Sequence, residues 1–329
     1  MAELGNLWPG AIAVSGGGDS LALMHLAADW ARARKRPAPK ILTVDHGLTK
    51  GSRNHAAQVK ARAKSLGLDC TVLSWKGAKP KSDIEAAARE ARYRLMGEWC
   101  RARKIAFLYI AHTEDDQAET FLLRLARGSG LDGLSAMRAI APYPVPGFAD
   151  LSLVRPLLGL TRDQLRQFLA ARHVAWHEDP MNADPRFARV RLREIRPALE
   201  SAGLTASRIA AGARHLARAR EALERQTADL LAAATSREGR HILIDGAALA
   251  AAPRELGLRA VAELLKQVGG QAYRPRFEQL ESLFDSLASG GFAARTLHGC
   301  RLGPAPKRRA LFGSRTLVLE KELGRAKPS

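Results

Sequence analysis

Short apolar runs alternate with longer stretches of helical spacing through the first half of the chain. Ala11–Val14, Ile41–Asp45, Cys70–Trp75 and Ala106–Ala111 read as buried strands. Between them, at about 19 to 35, 53 to 67, 83 to 103 and 114 to 127, apolar positions recur every three or four residues and predict helices. Ser82 and Glu85 form an S-x-x-E capping box ahead of Ala87, Ala88, Ala91 and Leu95, which marks the start of the third helix. Strands alternating with helices predict an α/β fold with a doubly wound parallel sheet, and such sheets bind ligands at the carboxyl ends of their strands.

Pro142, Pro144, Pro146 and Gly147 interrupt this alternation. A short strand near Leu153 follows, then a helix whose start reads Thr161-Arg162-Asp163-Gln164, a second capping signature. Residues 176–200 are polar and rich in arginine, a loop running into an exposed helix. From about residue 205 the composition turns to alanine- and arginine-rich helix through Ala234. Two domains are therefore expected, 1–204 and 205–329, joined by a long helix, the second being smaller, mainly helical and α+β. Helices near 247 to 268 and 275 to 288 and strands at Thr296–Leu302 and Thr316–Leu319 make up its expected content.

Charge adds a partner class. The chain has 52 basic against 33 acidic residues, a formal net charge of +19. Such an excess attracts polyanions, because each neutralised phosphate releases condensed counterions. Arg186, Arg189, Arg191, Arg193 and Arg196 lie within eleven residues that hold one acid, Glu194. On the predicted third helix, Arg89, Arg92, Tyr93 and Met96 share a face able to grip phosphate and stack a base. No apolar stretch is long enough to span a bilayer and no signal peptide is read, so cytoplasm is the expected compartment. Cys70, Cys100 and Cys300 are far apart, which fits a reducing environment and offers no pair for zinc or an iron–sulfur cluster.

The candidate chemistry begins where the first strand ends, in Ser15-Gly16-Gly17-Gly18-Asp19-Ser20. Three glycines allow positive φ and turn backbone amides inward, an anion nest at a helix start. No lysine follows them, so the Walker form is absent. An aspartate beside bound phosphates is repulsive unless a divalent cation bridges them, which makes Asp19 the first expected magnesium ligand. The string S-G-G-x-D-S after a first strand resembles the PP-loop of ATP pyrophosphatases, which implies cleavage of ATP between its α and β phosphates.

A second constellation, His112-Thr113-Glu114-Asp115-Asp116-Gln117-Ala118-Glu119-Thr120, follows the fourth strand. Helical spacing puts His112, Asp116 and Glu119 or Thr120 on one face. Asp116 is expected as a second metal carboxylate, with Asp115 as the alternative, and His112 for proton handling or contact with developing charge. At the end of the second strand, Asp45 and His46 stand at the same sheet edge, placed to contact adenine or an incoming amine.

Read together, S-G-G-G-D-S, V-D-H-G-L, E-A-A-A-R-E-A-R-Y, H-T-E-D-D-Q-A-E-T and R-G-S-G-L-D-G-L are similar in order and spacing to the tRNA(Ile)-lysidine synthetase family. The resemblance covers roughly residues 10 to 200 and departs from the family pattern at Met181 and Val190. It implies ATP-dependent adenylation of the wobble cytidine of a CAU anticodon, followed by attack of free lysine to give lysidine. Reading then changes from AUG to AUA. The implied partners are tRNA(Ile), ATP, magnesium and L-lysine, with a monomer or homodimer. Asp19, His112, Asp116 and Glu119 are implied as catalytic. A PP-loop tRNA thiolation enzyme is the competing class.

Overall fold

The computed structural model describes residues 6–48, 51–77, 79, 83–177, 188–271, 274–289 and 292–322. It divides into two compact units, Met1–Ala217 and Arg218–Ser329, and the division falls inside the long helix Ala206–Ala234.

The first unit holds a six-stranded sheet. Its strands are β1 (Ala11–Ala13), β2 (Lys40–Asp45), β3 (Cys70–Ser74), β4 (Phe107–Tyr109), β5 (Ile140–Pro142) and β6 (Ser152–Val154), in the order β3-β2-β1-β4-β6-β5. All neighbours are parallel except β5, which runs antiparallel to β6. The expected doubly wound sheet is present, with this one antiparallel strand at its edge. Pro142 is tolerated there because an edge strand has amide positions that need no ladder partner. Ile12 lies between Ile41 and Tyr109 in register and is fully buried, as are Leu42, Leu108 and Leu153 nearby. That double burial is why the central strands read as continuous apolar runs.

Helices α1 (Gly18–Ala33), α2 (Ser52–Ser65), α3 (Ile84–Ala102), α4 (Glu114–Leu125) and α5 (Leu131–Leu134) lie between successive strands, and α6 (Arg162–Ala170) follows the last of them. Leu21, Leu23 and Met24 of α1 pack on Leu165 and Leu169 of α6 on one face of the sheet, while Tyr93, Met96 and Trp99 of α3 cover the other. Ser82 and the Glu85 side chain of the expected box lie outside what the structure describes. The N-cap of α3 is Asp83, in the left-handed region with φ 50°. The box at Thr161 and Gln164 forms in full, with both reciprocal bonds.

Strand order reverses between β1 and β4, since β2 and β3 extend one way and β6 and β5 the other. A crevice at the carboxyl ends of these two neighbours is where such sheets bind ligands. The chain leaves β1 through Ser15–Asp19 and leaves β4 through His112, so topology alone brings both sequence constellations to one crevice.

After α7 (Ala188–Ser201) and α8 (Ala206–Ala234), the second unit holds β7 (Thr235–Glu238), β8 (His241–Asp245), α9 (Gly246–Ala251), α10 (Arg254–Gly269), α11 (Phe277–Ala288), β9 (Arg295–Leu297), β10 (Cys300–Pro304) and β11 (Thr316–Lys321). Its five strands form an antiparallel sheet in the order β7-β8-β11-β10-β9. Ile244, Leu249, Val261, Leu265, Phe284 and Leu302 build a core between this sheet and the helices. The expected single helix near 247 to 268 is two helices broken at Pro253, and the expected strand Thr296–Leu302 is a hairpin turning at His298 and Gly299. Among the described residues, no helix is long and apolar enough to cross a membrane.

Candidate active site

The loop after β1 is built by its own side chains. Ser20 Oγ donates to the Gly17 carbonyl at 2.9 Å and accepts from the Ser15 amide at 3.1 Å, closing the turn onto the start of α1. Gly16 has φ +94°, a region that L side chains rarely adopt, and a Cβ there would also press on Val59 of α2 at 3.3 Å. Gly17 is the N-cap of α1 with no side-chain cap, so the first amides of that helix have no side-chain acceptor at the cap. A segment on the far side crosses this loop. The His177 amide donates to the Gly16 carbonyl at 3.2 Å, the Trp176 ring would lie 3.5 Å from a Cβ on Gly18, and the His177 ring stacks on His55 with centroids 3.8 Å apart.

Helix α4 begins with a capping box in which aspartate replaces the usual longer acid. Thr113 Oγ1 accepts from the Asp116 amide, and Asp116 Oδ2 accepts from the Thr113 amide at 2.8 Å and hydroxyl at 2.9 Å. Residues 114 to 120 are all buried although most are polar. Each buried acid is paired, as buried charge requires. Glu114 accepts from Ser207 at 2.9 Å and Arg214 at 3.2 Å. Asp115 accepts from the backbone amide of Arg162 at 2.8 Å and from Arg196 at 2.8 Å. Asp115 therefore sits on the amino terminus of α6 and ties α6 and α7 to α4.

Arg162 is the residue that sequence reasoning passed over. It is the first helical residue of α6 and was read only as part of a capping signature. Its Nη2 donates to Asp116 Oδ1 at 2.5 Å, its Nη1 to Glu119 Oε1 at 2.7 Å, and its Nε lies 3.6 Å from Asp19 Oδ2. One guanidinium thus joins the acid of the glycine loop to both catalytic candidates on α4. Arg193 adds a two-pronged contact to Glu119, at 2.8 and 3.4 Å. Asp19, Asp116 and Glu119 face Arg162 and Arg193 in direct contact, and Arg166 acts on Asp19 through its field.

Titration follows from this arrangement. Burial pushes the Asp19 carboxyl up to about 6, a rise that Arg162 only partly offsets and Asp116 reinforces. Burial also works against ionised Asp116, but Arg162 and the Thr113 donors outweigh it and hold that carboxyl below its ordinary value. Burial draws His112 down to about 4, with Arg155, Arg189 and Arg89 adding to the effect against Asp116. His112 is neutral at physiological pH, and its Nδ1 accepts from Arg155 Nε at 3.0 Å.

The structure brings together Ser15, Gly16, Gly17, Gly18, Asp19, Ser20, Asp116 and Glu119, with His112 beside them. Asp45 and His46 stand at the end of β2, next to β1, with their polar groups turned to local use. Asp45 Oδ1 accepts from Ser52 at 2.5 Å and the Gly47 amide at 3.1 Å, and His46 Nδ1 accepts from the Leu48 amide. Arg89 and Arg92 flank Tyr93 on α3, with guanidinium carbons 5.1 and 5.5 Å from the ring. Of the arginine run, Arg193 and Arg196 face acids of α4, Arg189 reaches His112 through its field, Arg191 has partners of its own, and Arg186 lies outside the described residues. Val190, one of the departures from the family pattern, is buried on α7, so an apolar residue there is a packing choice. Met181 lies outside the described residues.

Whether these residues suit a magnesium ion depends on which oxygens are open. Among the described residues, no group of three or more His, Cys, Asp or Glu is placed to hold a metal unaided. Asp19 is under-compensated and faces the loop, the position of a carboxylate that completes a cation's shell alongside phosphate oxygens. Both oxygens of Asp116, the other expected ligand, already accept from Thr113 and Arg162.

A family model described as a PP-loop domain matches residues 9–199. A Bradyrhizobium protein named tRNA(Ile)-lysidine synthase is 40% identical over 91% of this chain and 90% of its own length. The chain belongs to the tRNA(Ile)-lysidine synthase family. A Ruegeria pomeroyi protein of the same name is 42% identical over 80% of this chain, and the matched part spans 62% of that longer relative. Among solved structures, the U34-tRNA thiolase NcsA from Methanococcus maripaludis, with its [4Fe-4S] cluster, aligns with a TM-score of 0.50 at 17% identity, covering 63% of this chain and 72% of that one. That likeness concerns the fold alone. The cysteines here are single and free, with Cys100 and Cys300 buried.

Proposed function

We propose that this chain adenylates the wobble cytidine of a CAU-anticodon tRNA(Ile) and joins free L-lysine to it, consuming ATP and releasing AMP and pyrophosphate. The observation that carries this reading is the meeting of a lysine-free glycine loop with a paired acid cluster, Asp19, Asp116 and Glu119, at one switch point. Amides from Gly16 to Ser20 receive the phosphates, and Asp19 would hold a magnesium ion, which would supply neutralisation of charge on the triphosphate. The C2 oxygen of cytidine attacks the α phosphorus, and the bond to the bridging oxygen of the β phosphate breaks. The lysine side-chain amine then attacks C2 of the base, and the C2–O bond breaks with AMP leaving.

Free lysine is an ammonium with an unperturbed pKa near ~10.4, so its cation needs a carboxylate to receive it and the amine needs a proton acceptor. Asp116 and Glu119 supply the carboxylates, which exchange a contact with Arg162 or Arg193 for the lysine ammonium. Arg89, Arg92, Arg186, Arg189 and Arg191 meet tRNA phosphates, while Arg193 and Arg196 must exchange a carboxylate for a phosphate to join them. Asp45 and His46 contact the adenine side of the nucleotide. The part 205–329 serves as a second tRNA-holding region, since residues 301–329 have eight basic and two acidic side chains. The enzyme works in the cytoplasm as a monomer or homodimer.

The test is incubation with radiolabelled lysine, ATP and an unmodified CAU-anticodon transcript. ATP-dependent incorporation that disappears in Asp19→Ala is expected. Sulfur transfer to the same transcript without lysine uptake would select the thiolation class instead.

A further inference from the structure

His112 stands at the tip of β4 with one ring nitrogen already committed. Arg155 follows directly on β6, the strand paired to β4, and is held at three points. Its amide donates to the Ala139 carbonyl at 2.8 Å, its Nη1 donates to the Arg138 carbonyl at 2.8 Å, and its Nε donates to His112 Nδ1 at 3.0 Å. A guanidinium has donors only and stays protonated at any working pH. Nδ1 must therefore carry the lone pair, and in the neutral ring the proton is on Nε2. Among the described residues no hydrogen bond uses that Nε2–H. We propose that Arg155 is a positioning residue that fixes His112 as a neutral Nε2–H donor, aimed at an anionic oxygen of the reacting phosphate, and so denies it the role of general base.

This inference rests on the reading that His112 belongs to the reacting site. It divides the two roles open to His112 from sequence, since a ring whose lone pair is held by arginine can donate to a developing oxyanion but cannot take the proton of lysine. The groups near the ring agree: Arg155 beyond β6, Arg89 from α3 and Arg189 from α7 disfavour an imidazolium, and Asp116 on α4 opposes them. The proton acceptor for lysine is then sought among the carboxylates of α4.

The experiment uses the full chain labelled with nitrogen-15 in histidine, with His112 assigned from the signals missing in His112→Gln. Long-range proton–nitrogen correlation at neutral pH reports the tautomer directly. The Nε2–H form is expected in the parent chain, a tautomer mixture in Arg155→Met, and recovery in Arg155→Lys, whose ammonium can also donate to Nδ1. In Arg155→Met, kcat for lysine transfer should fall about tenfold with the KM for ATP unchanged, the loss of about one hydrogen bond to charge. An Nδ1–H or doubly protonated ring in the parent chain would overturn the proposal even if Arg155→Met failed to fold, as would an unchanged tautomer in a folded Arg155→Met. A full rate of lysine transfer in His112→Ala, which has no donor at that place, would instead overturn the placement of His112 in the reacting site, a failure separable from that of the tautomer.

Discussion

Replacing Arg162 by methionine keeps an unbranched apolar stem and removes the guanidinium shared by Asp19, Asp116 and Glu119. The side chains of Asp116 and Glu119 are only 9% exposed and that of Arg162 17%, so solvent cannot take over. Breaking a buried pair by removing one partner costs about 3 to 5 kcal/mol. Asp116 keeps its Thr113 donors and Glu119 keeps Arg193, which puts the loss near the lower end, about 3 kcal/mol. For a unit the size of Met1–Ala217, each kcal/mol is about 2 to 4 °C in melting temperature, so a fall of about 6 to 12 °C is expected near pH 7.5. The pH dependence has a definite sign. In the parent chain, Asp116 is held below its ordinary value, a contribution present at neutral pH and lost as pH falls through the folded-state value. In the variant, the buried acid cluster has lost its shared cation, which disfavours its ionised form, a penalty complete at neutral pH that fades on acidification. The variant's penalty fades first on acidification, and the parent's contribution from Asp116 is lost only below the ordinary carboxylate range, near ~4, so the gap between the two proteins narrows as pH falls. Calorimetry at several pH values measures it; a gap under about 2 °C, or one that stays constant with pH, would refute the view of Arg162 as the charge hub.

Asp19, with its carboxyl at about 6, predicts opposite pH trends for nucleotide binding: titration calorimetry should show ATP with magnesium binding more weakly below about pH 6, and ATP in chelator binding more tightly there. Parallel trends would count against a cation at Asp19. Asp115 ties α4 to α6 and α7 whereas Asp116 faces the glycine loop, so Asp115→Asn should cost about 1 to 2 kcal/mol of stability and little rate, and Asp116→Asn should cost about a hundredfold or more in kcat. Equal loss of rate in the two, measured by lysine incorporation, would undo that division. Gly16→Ala forces an L side chain to φ +94° against Val59 and should cost about 1 to 3 kcal/mol, read as a loss of ATP affinity, of stability, or both. Arg89→Ala and Arg189→Ala should each lower the slope of log affinity for tRNA against log salt by about 0.7 to 0.9 without shifting the melting temperature; an unchanged slope would remove that residue from the RNA contact.

The glycine loop and the acidic start of α4 were legible because each follows a doubly buried strand, where an apolar run ends abruptly in residues that have no packing reason to be there. Strand order then does the rest, placing the ends of β1 and β4 side by side. Arg162 was not legible, since its partners Asp19, Asp116 and Glu119 lie between 43 and 143 residues away, and only the packing of α6 on α1 and its bonds to the start of α4 bring them near. The arginine run misled for the same reason: counted locally, Arg193 and Arg196 lack acids, but Glu119 and Asp115 are waiting on α4. The tie between His112 and Arg155 likewise crosses between paired strands and leaves no trace in local spacing. In the second unit, Pro253 and the turn at Gly299 split elements that periodicity had joined, because a helix or strand pattern can continue across a break that backbone geometry enforces. Pro142 hid a strand that survives only because it lies at the edge.

The central claim is that the glycine loop presents the α phosphorus of ATP to the base. It is tested most directly with ATP labelled at the α or the γ phosphate, given to the enzyme and a CAU-anticodon transcript with lysine withheld. The account predicts transfer of the α label to the tRNA, one per chain, appearance of the γ label as pyrophosphate, and discharge of labelled AMP when lysine is added. Release of the γ label as inorganic phosphate with ADP, and no label on the tRNA, would contradict it.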